Sequence, residues 1–288
     1  MCGTLFQNLN KPMSQTTHAN EIAIAIAKVK KVVLAANVSK DLEYFSYHEK
    51  RFERMAQSIV KTVPKGSKVL DIGSHYLHSA MLLTELGYKV FAVDVSAFWE
   101  IEFIKTRMAD FNIQGIPEND LESFKCVAQM PGMYDVVLFT EILEHITFNP
   151  VNFWKSVYGT LKANGLIYLT TPNSLALPSL LRSSRNLLLL RGVGIKVADI
   201  FAHVTYGHHW KEFSRSEIKT YFKMLSEDFE VRTYFFNYHK REVEGIRDWM
   251  WQSLMVVGRY LHYFSPDIEA IVRVNKNKGF KLAAPDYY

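Results

Sequence analysis

Lys68-Val69-Leu70-Asp71-Ile72-Gly73, followed by Tyr88-Lys89-Val90-Phe91-Ala92-Val93-Asp94, decides how this chain is read. The first stretch is an apolar run that ends in glycine, which predicts a buried strand entering a tight turn. Apolar residues around Met81, Leu82 and Leu83 predict a helix that Gly87 stops, and the second stretch predicts the next strand. An acid closing a second parallel strand, beside a glycine turn closing the first, can hold a ribose by its two hydroxyls. After Gly73 the chain reads Ser74-His75-Tyr76-Leu77-His78. Side chains therefore fill the positions where a dinucleotide fingerprint needs glycine for backbone amides to approach a pyrophosphate.

A nucleoside ligand without phosphate escapes that requirement. On Asp71-Ile72-Gly73 the chain resembles the class I S-adenosylmethionine-dependent methyltransferases, whose first motif runs as an acid and then glycines at alternate positions. His75 and Leu77 depart from that motif. The resemblance implies that Asp71, Gly73 and Ser74 shape the methionine end of the cofactor site. It assigns Asp94 and Val95 to the ribose and sets Glu141 beside the transfer site. The two departures raise an alternative from another class, a non-catalytic cofactor-binding partner subunit.

The 288 residues, 48% of them hydrophobic, suffice for one good core with a cap or subdomain left over. Cys2 and Cys126 match no metal or disulfide framework, so a reducing cytoplasm is expected. No uncharged apolar run reaches transmembrane length, and Glu21, Lys28, Lys30 and Lys31 interrupt the N-terminal apolar stretch, so neither a transmembrane helix nor a signal peptide is expected. A formal net charge of +5 permits nucleic acid, phosphosugars or anionic lipid as partners without demanding any, because the basic residues are scattered.

Residues 1–20 are polar and patternless and are expected to be disordered. Two helices are expected within residues 21–66, from Glu21 to about Val38 and over Tyr47–Val63. Arg51 reads there as a solvated helix charge, with contact to the methionine carboxylate as the alternative. A methyltransferase domain then spans residues 67–276, and residues 277–288 form a tail. Strands are expected near Phe124–Val127 and at Tyr134–Thr140, Leu166–Thr170, Phe229–Phe236 and Ile268–Asn275. Helices are expected at Val151–Leu161 and Arg215–Leu225. This alternation predicts an α/β, Rossmann-like, doubly wound and mostly parallel sheet. The resemblance adds an antiparallel last strand inserted beside its neighbour. Residues 174–207 and 241–264 are extra to such a fold and mix leucine or aromatic clusters with arginine. They are expected to form a helical cap whose apolar side chains line the acceptor side, with peripheral membrane contact as the alternative.

After Tyr134–Thr140 the chain reads Glu141-Ile142-Leu143-Glu144-His145. A helical turn here would set Glu141, Glu144 and His145 at i, i+3 and i+4 on one face, at the carboxyl end of the sheet. This stretch resembles the matching motif of quinone-biosynthesis O-methyltransferases and of small-RNA 3′-terminal 2′-O-methyltransferases. In the RNA enzymes such acids and histidine hold a divalent metal, together with a downstream histidine in a stretch like His209-Trp210-Lys211-Glu212-Phe213-Ser214-Arg215. Ser214 and Glu217 form a capping-box pattern, which sets His209 on the loop just before a helix. The metal set would then be Glu141, Glu144, His145 and His209. A similar arrangement, with Thr171-Pro172-Asn173, occurs in methyltransferases near surface-polysaccharide pathways, where no metal is implied. His145 is then a general base that Glu144 orients.

The expected activity is S-adenosylmethionine-dependent O-methylation of a small-molecule or sugar-like acceptor. A metal-dependent RNA 2′-O-methyltransferase is the runner-up. It is not favoured, for want of an RNA-binding module or a basic-aromatic stripe.

Overall fold

In the computed structural model, which describes residues 15–195, 200–201, 207–238 and 245–282, the apolar runs become the strands of one sheet. In chain order these are β1 (Lys68–Ile72), β2 (Lys89–Asp94), β3 (Gln114–Pro117), β4 (Tyr134–Thr140), β5 (Leu161–Pro172), β6 (Phe229–Phe236) and β7 (Asp267–Val274). They pair in the order β3-β2-β1-β4-β5-β7-β6. β7 is antiparallel to both β5 and β6, and the other four pairings are parallel. The doubly wound sheet with its inserted antiparallel strand is therefore present.

Helices cover both faces because central strands such as β1 and β4 are apolar on both sides. One face receives α1 (Gln15–Ala36), α2 (Ser39–Thr62), α3 (His78–Glu85), α4 (Ser96–Trp99) and α5 (Glu102–Asp110). The other receives α6 (Val151–Thr160) and α8 (Arg215–Leu225). There the buried Trp154 ring stands edge-on to Phe139 and Phe222 and donates its indole N–H to Tyr221 at 2.7 Å. Helices α7 (Leu177–Leu188) and α9 (Ile246–Tyr260) come from the two extra segments and pack on one another. None of the described helices is long and apolar enough to cross a membrane.

Several boundaries differ from the sequence reading. Helix α1 begins at Gln15, inside the stretch expected to be patternless, and residues 1–14 lie outside the described residues. Helix α2 starts at Ser39 rather than near Tyr47. The segment expected as a strand near Phe124–Val127 is instead a 3-10 turn over Lys125–Val127, because Phe124 adopts a left-handed φ of 41° that ends any extended run. The third strand is Gln114–Pro117, hidden in the sequence by its glycine and proline. At Gly115 a Cβ would sit 2.7 Å from the Met108 sulfur, so a larger residue there would make the Met108 side chain move.

Helix α2 is tied down by buried charge at both ends. Near its start, Asp41 accepts two hydrogen bonds from Arg107 of α5, at 3.0 and 2.5 Å, and one from His78 of α3 at 2.8 Å, with all three residues buried. Near its end, Arg54 donates to Glu269 of β7 at 2.9 and 2.7 Å, and Ser58 donates to the same carboxylate. Burial would raise the Asp41 pKa, but the hydrogen bonds from His78 and Arg107 outweigh it and hold the carboxyl below its ordinary value. Burial pushes the His78 imidazole pKa down despite Asp41, so the ring is neutral, in keeping with a buried Nδ1 that has no partner.

Removing one member of such a network leaves a buried charge uncompensated. Asp41→Ala is expected to cost about 3–5 kcal/mol, whereas Asp41→Ala combined with Arg107→Met is expected to cost much less than Asp41→Ala alone. Denaturant midpoints at constant slope read this difference. The network's contribution is complete above about pH 6.5 and declines as pH falls, because first the histidine and then the aspartate take up protons more readily in the unfolded chain. A midpoint for the wild type that did not fall faster with acid than that of the double variant would contradict this account.

Candidate active site

The turn after β1 is where the departures from the glycine motif can be judged. Gly73 has φ 69°, its N–H donates to the Val93 carbonyl at 2.8 Å, and a Cβ there would lie 2.5 Å from the Ile142 side chain. His75 and Leu77 also take left-handed conformations, with φ 48° and 66°. These are conformations that non-glycine residues adopt at a cost of order 1–2 kcal/mol. Both positions thus hold the left-handed backbone that glycine adopts most readily. The His75 ring is turned into a cluster with Tyr44 and Tyr76, at centroid distances of 4.6 and 3.8 Å. Burial and the neighbouring His78 bring its pKa down to about 4, so it is uncharged.

Across the turn, Asp94 at the end of β2 accepts the His75 N–H at 2.7 Å and the Val95 N–H at 2.8 Å. Burial still raises its pKa. Asp71 in β1 is fully buried, and one carboxylate oxygen has no partner. Burial, then the nearby Asp94, push its pKa to about 8, with Arg51 opposing. Ser74 is buried and directs its hydroxyl to the Val93 carbonyl at 3.5 Å.

The chain leaving β4 does not continue as an α-helix. Glu141 has φ 56°, and a single 3-10 turn spans Leu143–His145. The expected α-helical face of Glu141, Glu144 and His145 is therefore broken at the left-handed Glu141, although Glu141 stays near enough to raise the pKa of Glu144. Its carboxylate lies 3.6 Å from the Arg51 guanidinium and accepts the Tyr238 hydroxyl at 3.2 Å. Arg51, read in the sequence as solvated, is buried and donates to the Tyr44 hydroxyl at 3.1 Å. Burial alone would lower its pKa; Tyr44, Glu141 and Tyr238 reverse that, and it stays charged. One of its terminal nitrogens and one Glu141 oxygen have no hydrogen-bond partner.

Glu144 and His145 form the other half of the site. Glu144 is fully buried and accepts the Thr171 hydroxyl at 2.9 Å, which explains the threonine of the Thr171-Pro172-Asn173 turn. Burial, then Glu141, raise its pKa well above that of an ordinary carboxylate. Its backbone carbonyl accepts the N–H of Trp210 at 2.8 Å, pinning the loop that carries His209. His145 donates from Nδ1 to the His208 carbonyl at 2.9 Å, which leaves Nε2 as the lone-pair nitrogen, 3.9 Å from Glu144. Burial and the adjacent His209 lower its pKa, so the ring is neutral. The His209 ring stands edge-on to it at 4.9 Å. The capping box expected at Ser214 and Glu217 is present and starts α8 immediately downstream.

Glu144, His145 and His209 each present one donor atom within 4.8 Å of the others, whereas Glu141, expected in a metal set, is outside this group. The residues that sequence reasoning missed are Tyr44 and Tyr238, and Thr171 was read only as part of the Thr171-Pro172-Asn173 motif, without its bond to Glu144. Each is an ordinary polar residue in its own segment, and only the packing of distant elements gives it a partner in the site.

The extra segments meet the site in an unexpected way. Asn173 donates to the carbonyls of Tyr263 and Ser265 at 2.9 and 2.7 Å, fastening the chain after α9 to the end of β5. A cleft of about 870 Å³ opens beside His209, and α7 contributes Ser179, Arg182, Ser183, Arg185 and Asn186 to its wall, with no leucine of α7 and no tryptophan of α9 among the described lining residues. Leu187, Leu188, Trp249 and Met250 are exposed instead. Arg182, Ser183 and Arg185 of α7 border this cleft, while Leu177 and Leu180 are half-buried and Leu187 and Leu188 are exposed, so the described wall of this cleft is polar where an apolar lining was expected.

Comparison with known proteins agrees with this architecture. A search of curated protein sequences returns no significant relative. Among solved structures, the chain is similar to one in the complex between the Haloferax volcanii Trm112 methyltransferase activator and a methyltransferase. That match has 13% identity and a TM-score of 0.51, covering 88% of this chain and 97% of the other. It is also similar to an Archaeoglobus fulgidus SAM-dependent methyltransferase, at 18% identity and TM-score 0.47 over 80% and 99% of the two chains. A Thermotoga maritima SAM-dependent methyltransferase matches at 14% identity and TM-score 0.49 over 85% and 98%. A sequence model described as a methyltransferase domain matches residues 47–283, nearly the whole described chain, so the protein belongs to the S-adenosylmethionine-dependent methyltransferase family.

Proposed function

We propose that the protein methylates an oxygen of a small or sugar-like acceptor, with His145 taking the proton that the acceptor loses. The observation that carries this reading is the Nδ1 hydrogen bond to the His208 carbonyl, which leaves a neutral imidazole with Nε2 free beside Glu144. A base whose lone pair is aimed and whose pKa lies below that of free histidine suits deprotonation at neutral pH. Glu144, held by Thr171, is a positioning partner for the ring. A reducing cytoplasm is the compartment this reading assigns, Cys126 being a free thiol.

S-adenosylmethionine supplies the methyl group when bound. The residues present fit it: Asp71 has a buried carboxylate oxygen without a hydrogen-bond partner, and the Arg51 nitrogen and Glu141 oxygen that face each other at 3.6 Å make no hydrogen bond, a cation and two acids that match a zwitterionic amino-acid end. Gly73 and Ser74 would border that end, and Asp94 with Val95 would take the ribose. The two backbone N–H groups that Asp94 already accepts hold its carboxylate in one orientation.

Calorimetry should show S-adenosylhomocysteine binding, weakened by about 1.5–3 kcal/mol in Asp94→Ala through loss of charged hydrogen bonds. Asp71 holds a proton at neutral pH in the free protein, and an ammonium beside it would displace that proton. Binding should therefore release a proton near pH 7 and tighten as pH rises towards about 8, and Asp71→Asn should remove this dependence. Equal affinity across that range in the wild type would overturn the assignment of Asp71.

His145→Ala should lower turnover by roughly 10²–10⁴-fold with cofactor affinity kept, measured on an acceptor found by screening for S-adenosylhomocysteine release. Product spectroscopy showing the methyl on nitrogen or carbon would refute O-methylation. The grouping of Glu144, His145 and His209 supports a second reading, in which they hold Mg²⁺ or Mn²⁺ through a carboxylate and two imidazoles. Saturable Mn²⁺ binding by calorimetry, lost in His209→Ala, would favour it, and full turnover after exhaustive chelation would exclude it.

A further inference from the structure

We infer that the cleft beside His209 receives the phosphate group of a phosphate-bearing acceptor, held by Arg182, Arg185 and Arg191. This rests on the methyltransferase reading and names the acceptor class for it. The sequence places the first two arginines three residues apart, so both project from one face of α7. Past the helix, Leu190 turns left-handed at φ 52° and the Arg191 N–H donates back to the Asn186 carbonyl at 2.7 Å. That reversal folds Arg191 onto the same side, and all three line the cleft.

The charge there is unbalanced. Among the described lining residues, four basic side chains, these three and Lys211, face a single carboxylate, Glu212. Lys211 is occupied by Glu217 at 2.7 Å, and Glu212 lies 3.4 Å from His209. The arginines have no carboxylate partner among the described residues. Arg182 reaches the Ser179 hydroxyl at 3.3 Å and stacks over Trp251, while Arg185 reaches the Asn186 side chain at 3.4 Å. Like charges on one helix face repel, so an unneutralised set of this kind is a cost to the fold that a bound anion removes. One guanidinium satisfies a carboxylate through its two-pronged donor edge. Three of them suit an anion with several charged oxygens, as a phosphate or diphosphate has.

Placement ties the cleft to the chemistry. His209 belongs both to its wall and to the group with His145, so an acceptor anchored by phosphate on α7 extends its remaining portion towards Nε2 of His145. The cleft wall is also continuous with the end of β5, through Ser174.

Titration calorimetry with inorganic pyrophosphate tests this. Saturable binding that weakens with added salt is expected for the wild type, and Arg185→Ala with Arg191→Ala should weaken it at least about 100-fold. Both residues are exposed, and unchanged S-adenosylhomocysteine affinity in the double variant would show that it is folded. Arg185→Glu alone provides a second variant, expected to bind pyrophosphate more weakly than wild type. Absence of saturable pyrophosphate binding by a protein that binds S-adenosylhomocysteine would overturn the inference and leave the methyltransferase reading standing. Equal binding by wild type and double variant would overturn it as well. Failure to bind S-adenosylhomocysteine would count against the cofactor assignment instead.

Phosphatidylcholine vesicles carrying phosphatidic acid separate two sources of the phosphate. Vesicle binding that pyrophosphate competes away, and that the double variant loses, would assign it to a lipid headgroup. Pyrophosphate binding without vesicle binding would assign it to a soluble ester. An RNA oligomer that bound about 100-fold more tightly than pyrophosphate would overturn the small-acceptor form.

Discussion

A guanidinium buried between α2 and the end of β4 governs the rest of this site. Arg51 is charged in a place where water cannot solvate it, so acids and hydroxyls must surround it. Glu141 and Tyr44 do so directly, and Asp71 and Glu144 feel its field from further away. Burial first, and a neighbouring acid second, raise the pKa values of Asp71 and Glu144 despite this cation. The acids around Arg51 would therefore accept a positively charged group, and α2, which carries Arg51, is anchored firmly. The Asp41–Arg107–His78 cluster and the Arg54–Glu269 pair provide that anchorage at the two ends of the helix.

Backbone strain in the site has a consistent use. His75, Leu77 and Glu141 all hold left-handed conformations without being glycine, and all lie at the carboxyl ends of β1 and β4. At the first two positions the left-handed backbone is one that glycine adopts most readily. At Glu141 it turns the carboxylate to Arg51 and Tyr238, while Glu144 is held by Thr171. Strain of this kind concentrates where surrounding structure over-determines the geometry and function requires it.

Much of the fold was legible because hydrophobic periodicity and turn chemistry agreed. The strands Tyr134–Thr140 and Phe229–Phe236 and the capped helix Arg215–Leu225 lie where the pattern puts them. The third strand was not legible, since Gln114-Gly115-Ile116-Pro117 has neither alternation nor β-branched richness, and its pairing with β2 rather than its own propensity makes it a strand. In the site, Asp71, Gly73 and Asp94 were readable from their position at strand ends. Arg51 was not, because burial of a long cationic side chain depends on what packs over it.

The sequence alone determined the strands other than β3, the turn after β1, the acid ending β2 and the family they imply. All of these are local matters of periodicity, glycine placement and strand-end chemistry. Only tertiary structure decided that Glu141 turns to Arg51 and Tyr238, that Arg51 is buried, and that arginines of α7 border the cleft beside His209. Those outcomes depend on contacts between residues far apart in the chain, such as Arg51 with Glu141 and Asn173 with Ser265. No local pattern encodes such contacts, because the free energy that selects them arises only when the two elements meet and exclude water.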